Sequence, residues 1–174
     1  MIALLLATLV CACQAVPGEP ASSEARNDNF QPIPAPKVVT VDQDGKTVDL
    51  GKLYENGTVL VYFYPKADTP GCTAQACSLR DAYQALTERG IIVLGVSLDS
   101  AQDQKAFKEK HNLPFTLIPD VDKKMVEAFG VSHGAGFASR EAFLIKDSQI
   151  VWHDDSASTS SQAEDVLKTV EGWQ

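Results

Sequence analysis

The sequence has no apolar run long enough to span a bilayer, no internal repeat and no Cys-x-x-Cys pair. A transmembrane helix needs about 18 or more consecutive apolar residues, and a thioredoxin-type disulfide exchanger normally carries Cys-x-x-Cys. The three histidines, His111, His133 and His153, are spread along the chain without the spacing of metal ligands. These absences argue against a membrane-spanning protein, a repeat protein and a metal site.

Positive charge is also scarce, because 15 Lys and Arg face 23 Asp and Glu, for a net charge of -8. This acidic balance argues against nucleic acid as a partner and against binding to anionic membranes by charge. The hydrophobic fraction of 44% is ordinary for a globular protein and supplies enough side chains for a core. A length of 174 residues suits one domain with a short appendage.

The first 15 residues are almost entirely apolar and lack a basic leader. They resemble the apolar and cleavage regions of a bacterial export signal. Residues 10–13 (Val-Cys-Ala-Cys) favour a lipoprotein box in which Cys13 is lipidated; ordinary cleavage near Ala15 and a buried N-terminal element are the alternatives. We therefore expect export, to the bacterial periplasm or to a membrane as a tethered lipoprotein, rather than a cytoplasmic location.

The rest of the chain divides by composition into a spacer and a folded domain. Residues 16–36 are rich in Pro, Ala, Ser, Glu and Asn and predict a flexible spacer. Residues 37–174 alternate between strand and helix patterns. The predicted elements are a hairpin of strands 38–41 and 47–50, strand 58–64, helix 72–88, strand 91–98, helix 100–111, strand 115–118, helix 122–129, a hairpin of strands 141–145 and 149–153, and helix 160–170. This order predicts an α/β domain with a mixed central sheet, helices on both faces and an N-terminal β-hairpin.

The segment with the clearest chemistry surrounds Cys72. A buried strand ends before it, a turn contains Pro70 and Gly71, and Cys72 then lies in the first turn of a predicted helix. The free N–H groups and the positive dipole end of a helix N-terminus favour a thiolate over a thiol. The thiolate is the form of cysteine that attacks electrophiles, so we predict that Cys72 is a reactive nucleophile.

Three other residues are candidates for a role beside this sulfur. Thr69 lies three residues earlier, so in a compact turn its hydroxyl can reach the sulfur or a bound substrate. Pro65 closes the preceding strand and would shield the thiolate from water. Arg140 directly precedes the predicted strand 141–145. It is the best candidate for a fixed cation near atoms where negative charge develops.

These residues resemble a known family. The spacing Pro65-x-x-x-Thr69-x-x-Cys72 is similar to the active-site pattern of peroxiredoxins. Cys77 follows five residues after Cys72, and Arg140 stands in a Ser-Arg-x-x-Phe-Leu-Ile sequence. Both features resemble the peroxiredoxin Q (bacterioferritin comigratory protein) subfamily. The resemblance covers most of the predicted domain.

The resemblance implies a thioredoxin-like fold and a thiol peroxidase that reduces hydrogen peroxide and organic hydroperoxides. Cys72 would be the peroxidatic cysteine and Cys77 the resolving one, joined in an intramolecular disulfide during the cycle. Thr69 and Arg140 would organise the peroxide, and Pro65 would shield the pocket. Thioredoxin or a thioredoxin-like protein would restore the thiols in antioxidant defence, with no metal, flavin or haem. Because both cysteines lie in one chain, we expect a monomer.

Other functions compete with this interpretation. Exported copper chaperones of the thioredoxin fold also carry two nearby cysteines, but with three residues between them, whereas four separate Cys72 from Cys77. Thr69 has no role in copper binding. A thiol–disulfide oxidoreductase is a further alternative, and Cys77 could also be a packed helix residue or half of a permanent disulfide. Gln75 stands where the resemblance leads us to expect Glu.

Overall fold

The computed structural model of the protein describes residues 30–173. The predicted export signal and its lipidation candidate, Cys13, lie outside the described residues. Within residues 30–173, no helix is both long and apolar enough to cross a membrane.

The described part of the chain contains short strands alternating with helices. The strands are β1 (Ile33–Pro34), β2 (Val39–Val41), β3 (Thr47–Asp49), β4 (Thr58–Phe63), β5 (Ile91–Ser97), β6 (Thr116–Pro119), β7 (His133–Gly134), β8 (Phe137–Ala138), β9 (Ala142–Lys146) and β10 (Gln149–Asp154). The helices are α1 (Leu50–Tyr54), α2 (Pro70–Asp81), α3 (Tyr83–Glu88), α4 (Ala101–Lys110), α5 (Lys124–Phe129) and α6 (Gln162–Glu171).

Six strands form one mixed sheet in the order β1-β10-β9-β4-β5-β6. β4 pairs in parallel with β5, and β5 with β6, whereas β9 runs antiparallel to β4 and β10 antiparallel to β9. Val61 of β4 faces Leu94 on one side and Phe143 on the other. The predicted α/β class with a mixed sheet is therefore confirmed. β2 and β3 form a separate antiparallel pair, as do β7 and β8.

The central strand β4 is buried on both faces. Its residues Leu60 and Tyr62 belong to one apolar cluster, together with buried residues of α2 and α6. The intervening residues Val59, Val61 and Phe63 belong to a second cluster, which includes residues of α1 and α5. Because successive strand side chains point to opposite faces, a strand covered on both sides reads as a continuous apolar run. That pattern was the basis for predicting this strand.

The single helix predicted over residues 72–88 is wrong in two respects. The structure has two helices, α2 and α3, separated at Ala82, where φ is -94° and ψ is 6°. α2 also begins earlier, at Pro70, with Thr69 as its N-cap. A proline is well suited to the first helical position, because its missing N–H would have no partner there and its φ is already helical. Cys72 is therefore the third residue of the helix.

The flexible spacer predicted over residues 16–36 is wrong at its C-terminal end. Ile33 and Pro34 form β1, which pairs antiparallel with Ile150 and Gln149 of β10. The Pro-rich composition concealed this strand, but proline is tolerated at the edge of a sheet, where its missing N–H interrupts no further ladder. The ordered domain thus begins before residue 37, the predicted boundary.

Candidate active site

Cys72 lies on the buried face of α2. Its side chain is 2% exposed, and the other buried positions of this helix follow at helical spacing: Gln75, Ala76 and Leu79. Cys72 and Cys77 are both free thiols. Cys72 thus lies in the first turn of a 12-residue helix, where the helix dipole favours negative charge.

Arg140 contacts the same sulfur. Its Nη2 donates to Cys72 Sγ at 3.4 Å, although the two residues are 68 positions apart in the chain. The topology explains the contact, because Arg140 lies just before β9 and β9 pairs with β4, the strand that leads to α2. Its other terminal nitrogen, Nη1, donates to the side-chain oxygen of Gln75. The structure therefore brings Arg140 and Cys72 together.

Thr69 and Pro65 occupy the predicted stretch of chain between β4 and α2. The Thr69 hydroxyl donates to the carbonyl oxygen of Lys66 at 3.0 Å, whereas the sequence suggested a bond to the sulfur or to a bound substrate. Its oxygen still has lone pairs to accept a hydrogen bond. Pro65 is half-buried and lies two residues after the end of β4. Both residues precede Cys72 in the chain, and the structure shows no hydrogen bond from Thr69 to Cys72 within the described residues.

Cys77 lies on the same helix as Cys72 and is half-buried. Residues five apart in an α-helix are separated by about 7.5 Å along the axis and about 140° around it, which gives a Cα–Cα distance of roughly 8.6 Å. A disulfide requires less than about 7 Å between these atoms. The two sulfurs therefore cannot be joined while α2 is intact.

A buried polar network supports the loop between β4 and α2. The Tyr64 hydroxyl donates to the Gln104 side chain, whose nitrogen donates to Ser97 Oγ at 2.7 Å. Ser97 donates to Asp99 at 2.7 Å, and the same Asp99 oxygen accepts from the Ala67 backbone N–H at 2.7 Å. Burial raises the pKa of Tyr64, so its hydroxyl remains a donor. These bonds tie the loop to the ends of β4 and β5.

Asp68 anchors the same loop to the end of α4. Its backbone is left-handed, with φ of 59°, and its carboxylate contacts His111 Nε2 at 2.8 Å and Lys110 Nζ at 2.6 Å. These hydrogen bonds, with that of His111 the larger effect, lower the pKa of Asp68. Arg80 of α2 donates to the His111 carbonyl oxygen at 2.9 Å. The end of α4 thus holds both the loop and the helix that follows it.

Sequence reasoning missed several of these supporting residues. Gln75 was noted only as a departure from Glu, although its place three residues after Cys72 puts both on one helix face. Asp68 and Asp99 carried no signal, since loop carboxylates are common and their partners lie far away in the chain. His153 pairs with Glu141 at 2.8 Å. Within residues 30–173, no group of three or more His, Cys, Asp or Glu side chains is placed to hold a metal ion.

The sequence and the fold of this chain match a known family. Residues 32–153 match the AhpC/TSA family. Peroxiredoxin Bcp of Escherichia coli is 43% identical over 141 residues, which cover 76% of this chain and 90% of that protein. The chloroplastic peroxiredoxin Q of Populus jackii is 44% identical over 116 residues, or 64% of this chain and 54% of that protein. The chain thus spans about half the length of this plant relative.

A solved structure gives the same result. Peroxidoxin BcpB of Mycobacterium tuberculosis superposes with a TM-score of 0.78 and 29% identity, covering 82% of this chain and 97% of that one. The chain belongs to the AhpC/TSA family, and its named relatives are peroxiredoxins of the Q/Bcp kind. The predicted family resemblance and the thioredoxin-like fold are confirmed, and the copper-chaperone and disulfide-exchange alternatives are not favoured.

Proposed function

We propose that this protein is a thiol peroxidase in which Cys72 reduces hydrogen peroxide and organic hydroperoxides. The observation that carries the proposal is the Arg140 guanidinium donating to the buried Cys72 sulfur at the start of α2. Burial lowers the local dielectric, which strengthens the attraction between this cation and a thiolate. The same cation is then in place to stabilise charge that moves onto the departing oxygen.

The first step is a displacement at oxygen. The Cys72 thiolate attacks the terminal oxygen of the peroxide, an S–O bond forms, and the O–O bond breaks. Sulfur is oxidised by two electrons to sulfenic acid, and the leaving oxygen takes a proton and departs as water or an alcohol. Thr69 supplies an oxygen that can accept the peroxide O–H, and Pro65 limits the approach of water.

The second step converts the sulfenic acid to a disulfide. The Cys77 thiolate attacks the sulfenic sulfur of Cys72, a disulfide forms, and hydroxide leaves as water after protonation. A dithiol protein, thioredoxin or a thioredoxin-like partner, then exchanges with this disulfide and returns both thiols. We assign the protein to antioxidant defence on this basis. No metal, flavin or haem takes part in these steps.

Turnover with substitutions at each cysteine tests this assignment. Peroxide consumption would be followed with a panel of thioredoxin-like reductants. Cys72→Ser is expected to abolish consumption, whereas Cys77→Ser should keep the first oxidation and lose recycling by the dithiol protein. Normal turnover of Cys72→Ser would overturn the assignment.

The N-terminal segment and the assembly state remain part of the proposal. We propose that residues 1–15 direct export and that Cys13 is lipidated, which would tether the domain to a membrane. Full-length protein expressed in a bacterium should then partition with membranes, and Cys13→Ala should release it; an unmodified N-terminus at Val16 would indicate simple cleavage.

We also propose a monomer, which light scattering of the reduced protein would test.

A further inference from the structure

We propose that Gln162, the first residue of α6, is a positioning residue that acts on Cys72 through Gln75 and Arg140. The inference rests on the proposed peroxidase function, because it concerns the reactivity of the same sulfur. It adds a residue of the C-terminal helix that makes no contact of its own with the reacting atoms.

The three side chains form an unbroken chain of hydrogen bonds to the sulfur. Gln75 Nε2 donates to Gln162 Oε1 at 2.7 Å, and Gln75 Oε1 accepts from Arg140 Nη1. Arg140 Nη2 then donates to Cys72 Sγ at 3.4 Å. Gln75 is 0% exposed and Gln162 1% exposed, so solvent does not compete for the bond between these two side chains. Arg140 is half-buried, and its bonds to Gln75 and Cys72 are partly shielded.

The chemistry of the groups fixes the orientation of both amides. A guanidinium carries only donors, so Gln75 must turn its oxygen towards Arg140 and its nitrogen towards Gln162. Gln162 must therefore present its oxygen, and its own Nε2 is left buried without a hydrogen-bond partner among the described residues. A buried donor without a partner lowers stability. Gln162 is thus poorly placed for stability but well placed as an acceptor for Gln75.

Acceptance by Gln162 has a direct effect on the arginine. An amide that donates through its nitrogen becomes polarised, and its oxygen becomes a stronger acceptor. Gln75 then holds Arg140 Nη1 more firmly. Because the guanidinium is planar and rigid, fixing Nη1 also fixes Nη2 on the sulfur. Without Gln162, the Gln75 amide would lose its partner and be free to turn away from Arg140.

The start of α6 and the segment before it also contact Arg140 and α2. The backbone N–H of Ala157 donates to the Arg140 carbonyl oxygen at 3.3 Å, and that of Ala163 donates to Ser78 Oγ of α2 at 3.5 Å. The Thr159 methyl group lies 3.4 Å from the position that a Cβ would take on Gly71. These contacts place Gln162 at a fixed distance from α2. Unwinding of α2 would break both bonds of Gln75 at once.

The test replaces Gln162 by methionine, which has a similar shape but no acceptor oxygen. The background is Cys77→Ser, so that Cys72 is the one reactive thiol of the described domain, and iodoacetamide alkylation of Cys72 is measured against pH. We expect the midpoint of this profile to move to higher pH and the peroxide rate to fall about tenfold, within the ~10²-fold that a 1 Å misplacement can cause. The substitution removes one unpartnered buried donor, Gln162 Nε2, and leaves another, Gln75 Nε2, so the number of unsatisfied donors does not rise and the protein should fold. Gln162→Asn, which keeps the amide on a shorter chain, should shift the profile in the same direction.

A double-mutant cycle separates this role from a structural one. If Gln162 acts through Gln75, then Gln162→Met added to Gln75→Met should cause little further shift. Val166→Ala, a buried position of the same helix, is the control, and it should lower the urea midpoint while leaving the alkylation profile unchanged. Additive shifts in the cycle, an unmoved profile in Gln162→Met, or an equal shift in Val166→Ala would each overturn the proposal. Alkylation needs no peroxide, so a protein inert to peroxide would refute the proposed function alone.

Discussion

Oxidation of the protein by one equivalent of peroxide should unwind the start of α2. Cys72 and Cys77 both lie within α2, where an intact helix keeps their Cα atoms roughly 8.6 Å apart, and a disulfide requires less than about 7 Å. Closing the bridge must therefore break the first two turns, including the bond from the Thr73 N–H to the Thr69 carbonyl oxygen, 2.8 Å long in the reduced protein.

The expected change in amide exchange follows from the contacts that hold the start of α2 in the reduced state. Cys72, Gln75 and Ala76 are buried there, and the Gln75 side chain makes two hydrogen bonds, so these amides are protected by packing as well as by the helix. Loss of that structure should speed amide exchange over residues 70–77 by ~10²-fold or more, equivalent to about 2.7 kcal/mol of local opening free energy.

Hydrogen exchange followed by mass spectrometry would measure this difference between the two redox states. The amides of β5 provide an internal reference, since this buried strand is paired on both sides, with β4 and β6, and should exchange equally in both states. Cys77→Ser is the matched control, because it can be oxidised but cannot close the bridge, and its segment should stay protected. Equal protection over residues 70–77 in reduced and disulfide-bonded protein would refute the reasoning.

Three further predictions follow from the site and the core. Arg140→Ala should slow the reaction of Cys72 with peroxide by about 10²-fold, as for loss of a preorganised charge. Arg140→Lys should restore the rate only in part, because a lysine ammonium lacks the planar, two-pronged donor geometry of the guanidinium. Unchanged stopped-flow kinetics in Arg140→Ala would assign the role to another cation. The pKa of Asp68 is lowered by His111 and Lys110, so its stabilisation is present above the unfolded value of about 3.9 and is lost as pH falls through the lower folded value. The urea midpoint of wild type should therefore exceed that of Asp68→Asn at pH 6 and should match it at a pH below the folded pKa of Asp68. A difference between the two midpoints that does not change with pH would contradict this. A Cβ on Gly95 would lie 2.6 Å from the Tyr62 hydroxyl and 2.7 Å from Leu117, so Gly95→Ala should cost about 1–3 kcal/mol of unfolding free energy, whereas Gly134→Ala, with open space around it, should be neutral.

The sequence was sufficient to predict those elements whose burial is continuous along the chain. β4 and β5 are buried on both faces and appear as apolar runs, and the Ser100 cap of α4 is visible as a hydroxyl three residues before Asp103. The short elements carried no such signal. β1 contains one apolar residue and a proline, and α2 and α3 are divided at Ala82, a residue with the strongest intrinsic helix preference.

In the site, too, residues close together in the sequence could be predicted, whereas contacts between distant residues depended on the fold. The Pro65, Thr69 and Cys72 spacing is local, so the turn that presents the sulfur could be identified from the sequence. Arg140 was found because it precedes a predicted strand, and the sheet order then brings it to Cys72. Gln162 was not found, because its contact with Gln75 joins residues 87 positions apart and depends on where α6 packs.

The most direct test of the account is to identify which sulfur peroxide oxidises first. Cys77→Ser protein would be treated with one equivalent of hydrogen peroxide and then with dimedone, which captures sulfenic acid, and the adduct would be located by peptide mass spectrometry. One adduct per chain is expected, on Cys72, with none in Cys72→Ser protein treated in the same way. An adduct on another residue, or none with Cys72 still reduced, would contradict it.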